Sequence, residues 1–468
     1  PPRSTLFPYT TLFRSPRWGR GQETYGECLH LTARIAVAYI KGLQGDHPKY
    51  LKLVATAKHF AAYSGPEARR HDFDAVISKR DLADTYLPHF EACVREANVQ
   101  SVMTTYTRVN GEPTAGHDYL LNRKLRGEWG FDGYVVSDCW AVEDIWKRHK
   151  CIETPEQAVA WCVKNGGDLN CGVEYPHLMK SYDKGLIDEA AIDISVKRLF
   201  VARMKLGMFD SDKDVPFASI PLNVVESAQN VELSREVARQ SIALLKNENN
   251  LLPLNLKKLK RIAVIGPNAA DYRALLGNYH GAASEYVTPL DGIRAAAAAA
   301  GVDVEYAQGC DILDKQHYPE AGFQPAIEAA KRADVAILVM GMSPRYEGEE
   351  GEVHRGDDWN GDRPHIYLPK EQDELIRQII ATGTPVVLAL MTGSAIAMPW
   401  AAAHIPAIIN AWYPGQQGGH AIADILFGKA NPAGRLPVTF YRSMADLPAF
   451  DNYSMDGRTY RYFNGEPL

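Results

Sequence analysis

Apolar and polar positions along this chain fall into two successive stretches of alternating elements. Short β-prone apolar runs at 53–60, 101–106, 134–138 and 167–171 read as buried strands. Between them, 31–44, 81–97, 155–164 and 189–206 carry apolar residues at helical spacing. Strand–helix alternation predicts a parallel sheet. Residues 211–230 are rich in Asp, Pro, Ser and Asn and read as a linker. A second alternation follows, with strands at 261–265, 302–306, 334–340, 385–391 and 407–411 and helices such as 324–333 and 370–381. That pattern predicts a doubly wound sheet. Little regular structure is expected after residue 446.

A chain of 468 residues has room for two or three domains. The net charge of −6 comes without a Lys/Arg stripe, so a nucleic-acid partner is not expected. No apolar run is long enough to span a membrane. The seven cysteines include no CxxC pair, which argues against a zinc or redox motif. Cys139, Cys151, Cys162 and Cys171 lie close in sequence and leave room for one disulfide if the protein is exported.

The run FDGYVVSDCW (131–140) leads a β-prone segment into one acid, Asp138. A carboxylate at the C-terminal end of a buried strand is where barrel enzymes keep their chemistry, although many such residues only cap the next helix. The run 343–363 holds four closely spaced glutamates after the strand at 334–340. A loop in that place can be a solvated acidic stretch, or it can present functional groups. Asp357, Asp358, Asn360 and Asp362 suggest calcium, but the glycine and glutamate of a calcium loop are out of register. Gly415-Gln-Gln-Gly418-Gly419 lacks the Lys-Ser/Thr ending of a phosphate loop. No metal and no cofactor is expected.

Seven ordered segments resemble family 3 glycoside hydrolases. PRWGRGQETYGE (16–27), TAKHFAAYSG (56–65), VMTTYTRVNG (102–111) and LRGEWGFDGYVVSDCW (125–140) resemble that family's barrel domain. SIALLKNENNLLPL (241–254), RIAVIGPNA (261–269) and NPAGRLPVTF (431–440) resemble its second domain. The resemblance implies an α/β fold: a partial (β/α)8 TIM-like barrel, then an α/β sandwich with a mostly parallel sheet. The expected divisions are 1–15 as a non-native prefix outside the fold, 16–210 as the C-terminal part of the barrel, and 211–230 as linker. The sandwich follows at 231–446, able to fold alone, and 447–468 begins a truncated region. The chain is thus expected to be a fragment, shortened at both ends and a poor catalyst as written.

The resemblance also implies an activity: a retaining exo-β-glycosidase working by double displacement on an oligosaccharide. Two carboxyl groups do that work, one as nucleophile and one as acid/base. Asp138 matches the family's nucleophile. The family's acid/base loop places that role on Glu349, with Glu347 and then Glu350 as alternatives. Lys58 and His59 resemble a dyad that binds sugar hydroxyls, Arg20 an arginine that binds the same sugar, and Tyr106 a tyrosine near the nucleophile. Thr107 stands where the family commonly has Asn. Trp140 offers either a platform for a sugar face or a core aromatic. Arg70-His71 resembles a xylosidase-like segment of unassigned role. SDCWA (137–141), RHDFDA (70–75) and DLNCG (168–172) lean toward xylose over glucose. Location in the periplasm or outside the cell is expected for the full-length parent; no oligomeric state is implied.

Overall fold

The computed structural model describes residues 5–6, 11–313, 322–351 and 359–468. Glu352, Asp357 and Asp358 of the acidic run lie outside the described residues. The chain forms two compact units, and each draws on distant parts of the sequence. The first takes residues 1–15, 23–221 and 448–463; the second takes 16–22, 222–447 and 464–468.

The first unit is built on four parallel strands in spatial order β1 (Thr5–Leu6), β2 (Val54–Phe60), β3 (Ser101–Thr104) and β4 (Tyr134–Val136). Val136 also pairs with Leu169 through a single parallel bridge, so the strand expected at 167–171 shrinks to one contact. Strands β2 and β3 are buried along their whole length, as parallel strands covered by helices are. Helix α1 (Leu29–Gln44) turns Ala33, Ala36, Val37 and Ile40 into the core, where Phe60 meets Phe90 and Trp129 edge-on. The result is the arc of a TIM-like barrel.

Several expectations are corrected here. Residues 81–97 are not one helix: a wide turn spans Leu82–Tyr86 and a new helix, α2, runs Pro88–Arg95. Pro88 has no N–H to continue the ladder, and its ring opposes the carbonyl four residues back. Residues 11–15 are not outside the fold. Leu12 and Phe13 are buried, and Arg14 donates to the carbonyls of Phe450 (2.7 Å) and Ser64 (3.2 Å) while its guanidinium lies 4.1 Å from the Tyr453 ring centre. No periodic pattern signals such a segment, because its burial rests on two apolar side chains and one satisfied arginine. Residues 448–463 likewise join the first unit, where Tyr453 and Met455 enter its core.

Two buried histidines make this unit acid-sensitive. Burial pushes His89 down to about 3 and His149 down to about 4. Both stay neutral in the fold, whereas the unfolded chain protonates them near pH 6.5. The folded values are the lower ones, so the unfolded state takes the protons first. Stability is therefore lost as pH falls from about 6.5 toward 4, at up to about 1.4 kcal/mol per pH unit for each group. Urea midpoints measured from pH 7 to pH 4.5 should fall less steeply for His89→Gln than for the parent; equal slopes would remove His89 from the explanation.

The second unit is a six-stranded sheet. In chain order its strands are β5 (Ala243–Asn247), β6 (Arg261–Ile265), β7 (Asp303–Ala307), β8 (Val335–Gly341), β9 (Val386–Met391) and β10 (Ala407–Asn410). The spatial order is β7-β6-β8-β9-β10-β5, parallel except for β5, which pairs antiparallel with β10 at the edge. The strand order reverses at β6, with β8 on its other side, as in a doubly wound fold. Strand β5 was not foreseen; its alternation is weak because it is a half-exposed edge. The expected linker 211–230 is short turns up to Val224, and its last residues enter the helix Ala228–Ser241, capped by Ser227. The sandwich also recruits residues 16–22, so 231–446 is not self-contained.

Candidate active site

In the first unit the local structure is arranged around the end of β4. Asp168, a buried carboxylate, accepts from Val135 N (2.9 Å), Arg126 (2.6 Å) and Arg198 (2.8 Å). It pins β4 while the strand leads into Ser137 and Asp138. Ser137 N donates to the Leu169 carbonyl (2.9 Å), Trp140 N donates to the Cys171 carbonyl (2.7 Å), and Cys139 forms a disulfide with Cys171. Asp138 is only 6% exposed, and its Oδ1 accepts from Cys139 N at 2.9 Å. His59 Nε2 lies 3.5 Å from Asp138 Oδ2. The two residues come from β2 and from the end of β4, on either side of β3. His59 is itself held by its N–H donating to Thr11 Oγ1 (2.8 Å), a second task of the segment 11–15. Lys58, beside it, is also buried.

The disulfide closes a loop with a sequence separation of 32 residues across the base of this region. Chain-entropy arithmetic for a loop of that size gives roughly 3–4 kcal/mol. Cys139→Ser with Cys171→Ser should lower the urea midpoint accordingly. A midpoint unchanged under non-reducing conditions would show that the bond contributes nothing.

Tyr106, just past β3, is buried beneath the Arg70 guanidinium, 4.4 Å from its ring centre, and against the His71 ring at 4.8 Å. Arg70 is held by Glu67 (3.4 Å) and His71 by Asp144 (2.6 Å). The Arg70-His71 pair, unassigned in the sequence, thus packs around Tyr106. Burial raises the Asp144 carboxyl above its ordinary value, and the His71 ring offsets part of that rise. Thr107 turns its hydroxyl into a buried network with Thr105 (2.8 Å), which in turn meets Thr114 (2.9 Å). Trp140 is 56% exposed, so it is not a core aromatic. Its backbone is left-handed (φ 64°), a conformation a bulky residue rarely adopts and one that is concentrated at functional sites.

In the second unit the acidic loop follows β8, at the C-terminal edge of the sheet where doubly wound folds present functional groups. Asn268, after β6, donates to the Met342 carbonyl (2.7 Å) and ties the two loops together. Glu349 accepts from Arg20 Nη1 at 3.3 Å and from the Tyr279 hydroxyl. Glu347 is buried more completely: Tyr413 OH (2.5 Å) and Gly393 N (3.0 Å) donate to it, and Arg363 Nε lies 3.7 Å away. Burial of Tyr413, and then the neighbouring Glu347 carboxylate, hold its hydroxyl well above the usual phenol value. Glu350 is half-buried and accepts from Asn360 Nδ2 at 3.3 Å.

Arg20 belongs to the second unit and pairs there with Glu349. The segment 16–22 is stitched to the acidic loop by Gly19 N to Asp362 Oδ1 (3.0 Å), Arg363 N to the Arg17 carbonyl (2.7 Å) and Gln22 Nε2 to the Glu347 carbonyl (3.1 Å). A side chain at Gly19 would stand 2.0 Å from the Gly361 carbonyl oxygen, so only glycine permits this approach. Tyr279 and Tyr413 were missed in the sequence. Neither sits in a periodic or motif context, and only the loop geometry reveals them. Among the described residues no group of three or more His, Cys, Asp or Glu is placed to hold a metal ion, and no helix is long and apolar enough to cross a membrane.

Buried carboxylates presented at the C-terminal edges of parallel sheets define a class of α/β enzyme, and comparison with known proteins narrows the class. Residues 4–202 match the pattern described as "Glycosyl hydrolase family 3 N terminal domain", and 242–467 match "Glycosyl hydrolase family 3 C-terminal domain". The chain belongs to glycosyl hydrolase family 3. It is 40% identical over 481 residues to Beta-D-xylosidase 3 of Arabidopsis thaliana, covering 98% of this chain and 60% of that protein. Among solved structures it resembles a GH3 exo-beta-xylosidase (XlnD) in complex with a xylobiose aziridine probe, with a TM-score of 0.90, 35% identity, and coverage of 99% of this chain and 60% of that one. It also resembles the b-glucosidase EmGH1 from Erythrobacter marinus, with a TM-score of 0.87, 33% identity, and coverage of 95% and 62%. The chain spans about 60% of the length of the xylosidases it matches.

Proposed function

We propose that this chain carries the catalytic residues of a retaining exo-acting β-glycosidase that releases terminal β-D-xylosyl residues from xylo-oligosaccharides. The observation that carries the reading is Asp138, buried at the end of β4 with His59 at 3.5 Å and Lys58 next to it. In this reading the Asp138 carboxylate attacks the anomeric carbon while the Glu349 carboxyl protonates the departing oxygen. Glu349, now ionised, takes a proton from water as that water's oxygen displaces Asp138 and releases the sugar. Lys58 and His59 donate to sugar hydroxyls, and charged donors make the stronger bonds. Trp140 offers its exposed ring to a sugar face. Arg20 and Tyr279 orient Glu349. Tyr106, braced by Arg70 and His71, shapes the surface near the nucleophile.

Xylose is favoured by the names of the relatives. DLNCG carries less weight than its motif suggests, because Asp168 and Cys171 have structural tasks. The β-glucosidase reading is kept alive by EmGH1. One CH₂OH group is worth about 1–3 kcal/mol in a pocket, so kcat/KM for aryl β-xyloside and aryl β-glucoside should differ by about 10–200-fold. Both substrates are to be tested on this chain and on the full-length parent. A preference for glucoside transfers the assignment to the second reading. Turnover of this chain far below about 1 s⁻¹, beside a normal parent, favours a catalytically incomplete piece. Export to an oxidising compartment is part of the proposal, supported by the Cys139–Cys171 disulfide.

A further inference from the structure

The second unit contains a separate pocket of about 410 Å³, lined by loops that follow β6, β7 and β8. Strand β6 lies between the other two, so the pocket opens over the strands where the order reverses. Ligands of doubly wound sheets bind outside the carboxyl ends of the strands at such a point. The volume is within the range of small-ligand pockets.

Its lining sets donors against acceptors. Arg273 and Arg345 bring two guanidinium groups, and neither forms a salt bridge among the described residues. Asp271 and Asp311 bring two carboxylates, and the Gln308 amide donates to Asp311 Oδ1 at 3.2 Å. Tyr306, in β7, and the buried Tyr346 add aromatic surface. Among the described lining residues the two guanidinium charges are matched by two carboxylates, which a phosphate would also meet. A neutral polyol is the better match. Its hydroxyls donate to carboxylates and accept from guanidinium and amide groups, and its C–H face packs on an aromatic ring.

We propose that this pocket is a second, non-catalytic sugar site that takes one or two neutral sugar units. The proposal rests on the glycosidase reading only in the choice of xylose-based probes. Tyr306 and Gln308 are the residues to change, because both belong to the β7 side and neither has a part in the proposed reaction. Calorimetric titration with xylobiose is to be done on the Asp138→Ala chain, alone and combined with Tyr306→Ala or Gln308→Ala. The Asp138→Ala chain should show a binding event that either addition weakens at least about tenfold, a loss of about 1.4 kcal/mol. In the chain with Asp138 intact, Tyr306→Ala and Gln308→Ala should leave aryl β-xyloside hydrolysis unchanged. Binding that is indifferent to both substitutions overturns the proposal. So does tighter binding of inorganic phosphate than of xylobiose. Absent hydrolysis by the full-length parent as well, with intact xylobiose binding by this chain, would count against the glycosidase reading and leave the pocket standing.

Discussion

Asp138→Ala is expected to lower kcat by about 10³-fold or more in the complete enzyme, as loss of a covalent nucleophile does. The physical case is local. The carboxylate is buried at the end of β4, its backbone is fixed through Ser137, Trp140 and the Cys139–Cys171 bond, and His59 approaches at 3.5 Å. The site is thus rigid, and alanine removes the reacting oxygens without altering the strand. KM and the urea midpoint should change much less than kcat. Retention of most activity would sink the assignment, and a collapse of stability would mean that Asp138 is chiefly structural.

The second large effect is expected at Glu349. Without its proton donor, the enzyme should lose most activity on substrates with poor leaving groups and far less on activated aryl glycosides, which depart unaided. Glu347→Ala should behave differently. Glu347 is enclosed by Tyr413, Gly393 and Arg363, so its removal leaves buried donors without their acceptor. That costs on the order of 1–3 kcal/mol of stability for each unsatisfied group and should depress both substrate types together. If Glu347→Ala shows the leaving-group pattern and Glu349→Ala does not, the acid/base lies two residues earlier than proposed.

Sequence patterns reached some features of this protein and not others, for physical reasons. Strands buried on both faces, such as β8 and β9, read as continuous apolar runs, and the parallel architecture followed from the spacing of such segments. The position of Asp138 past the end of β4 was legible because a strand end is a local feature. The pairing of Arg20 with Glu349 was not read, since a bond between residues 329 positions apart leaves no local trace. Residues 11–15 lack any period, and their place depends on Ser64, Phe450 and Tyr453. The break at Pro88 was available in the sequence and was overlooked in favour of the apolar spacing around it.

The way the chain passes between its two units has a consequence for how it is made. The first unit is closed by residues 448–463, which leave the ribosome after nearly all of the second. Arg14 finds two of its carbonyl partners, Asn452 and Phe450, only then. The nascent first unit therefore stays open, with the Arg14 and Tyr453 contacts unmade, until residues 448–463 have been synthesised. Slowing elongation between residues 222 and 447 should accordingly lower the yield of folded first unit more than slowing it before residue 221.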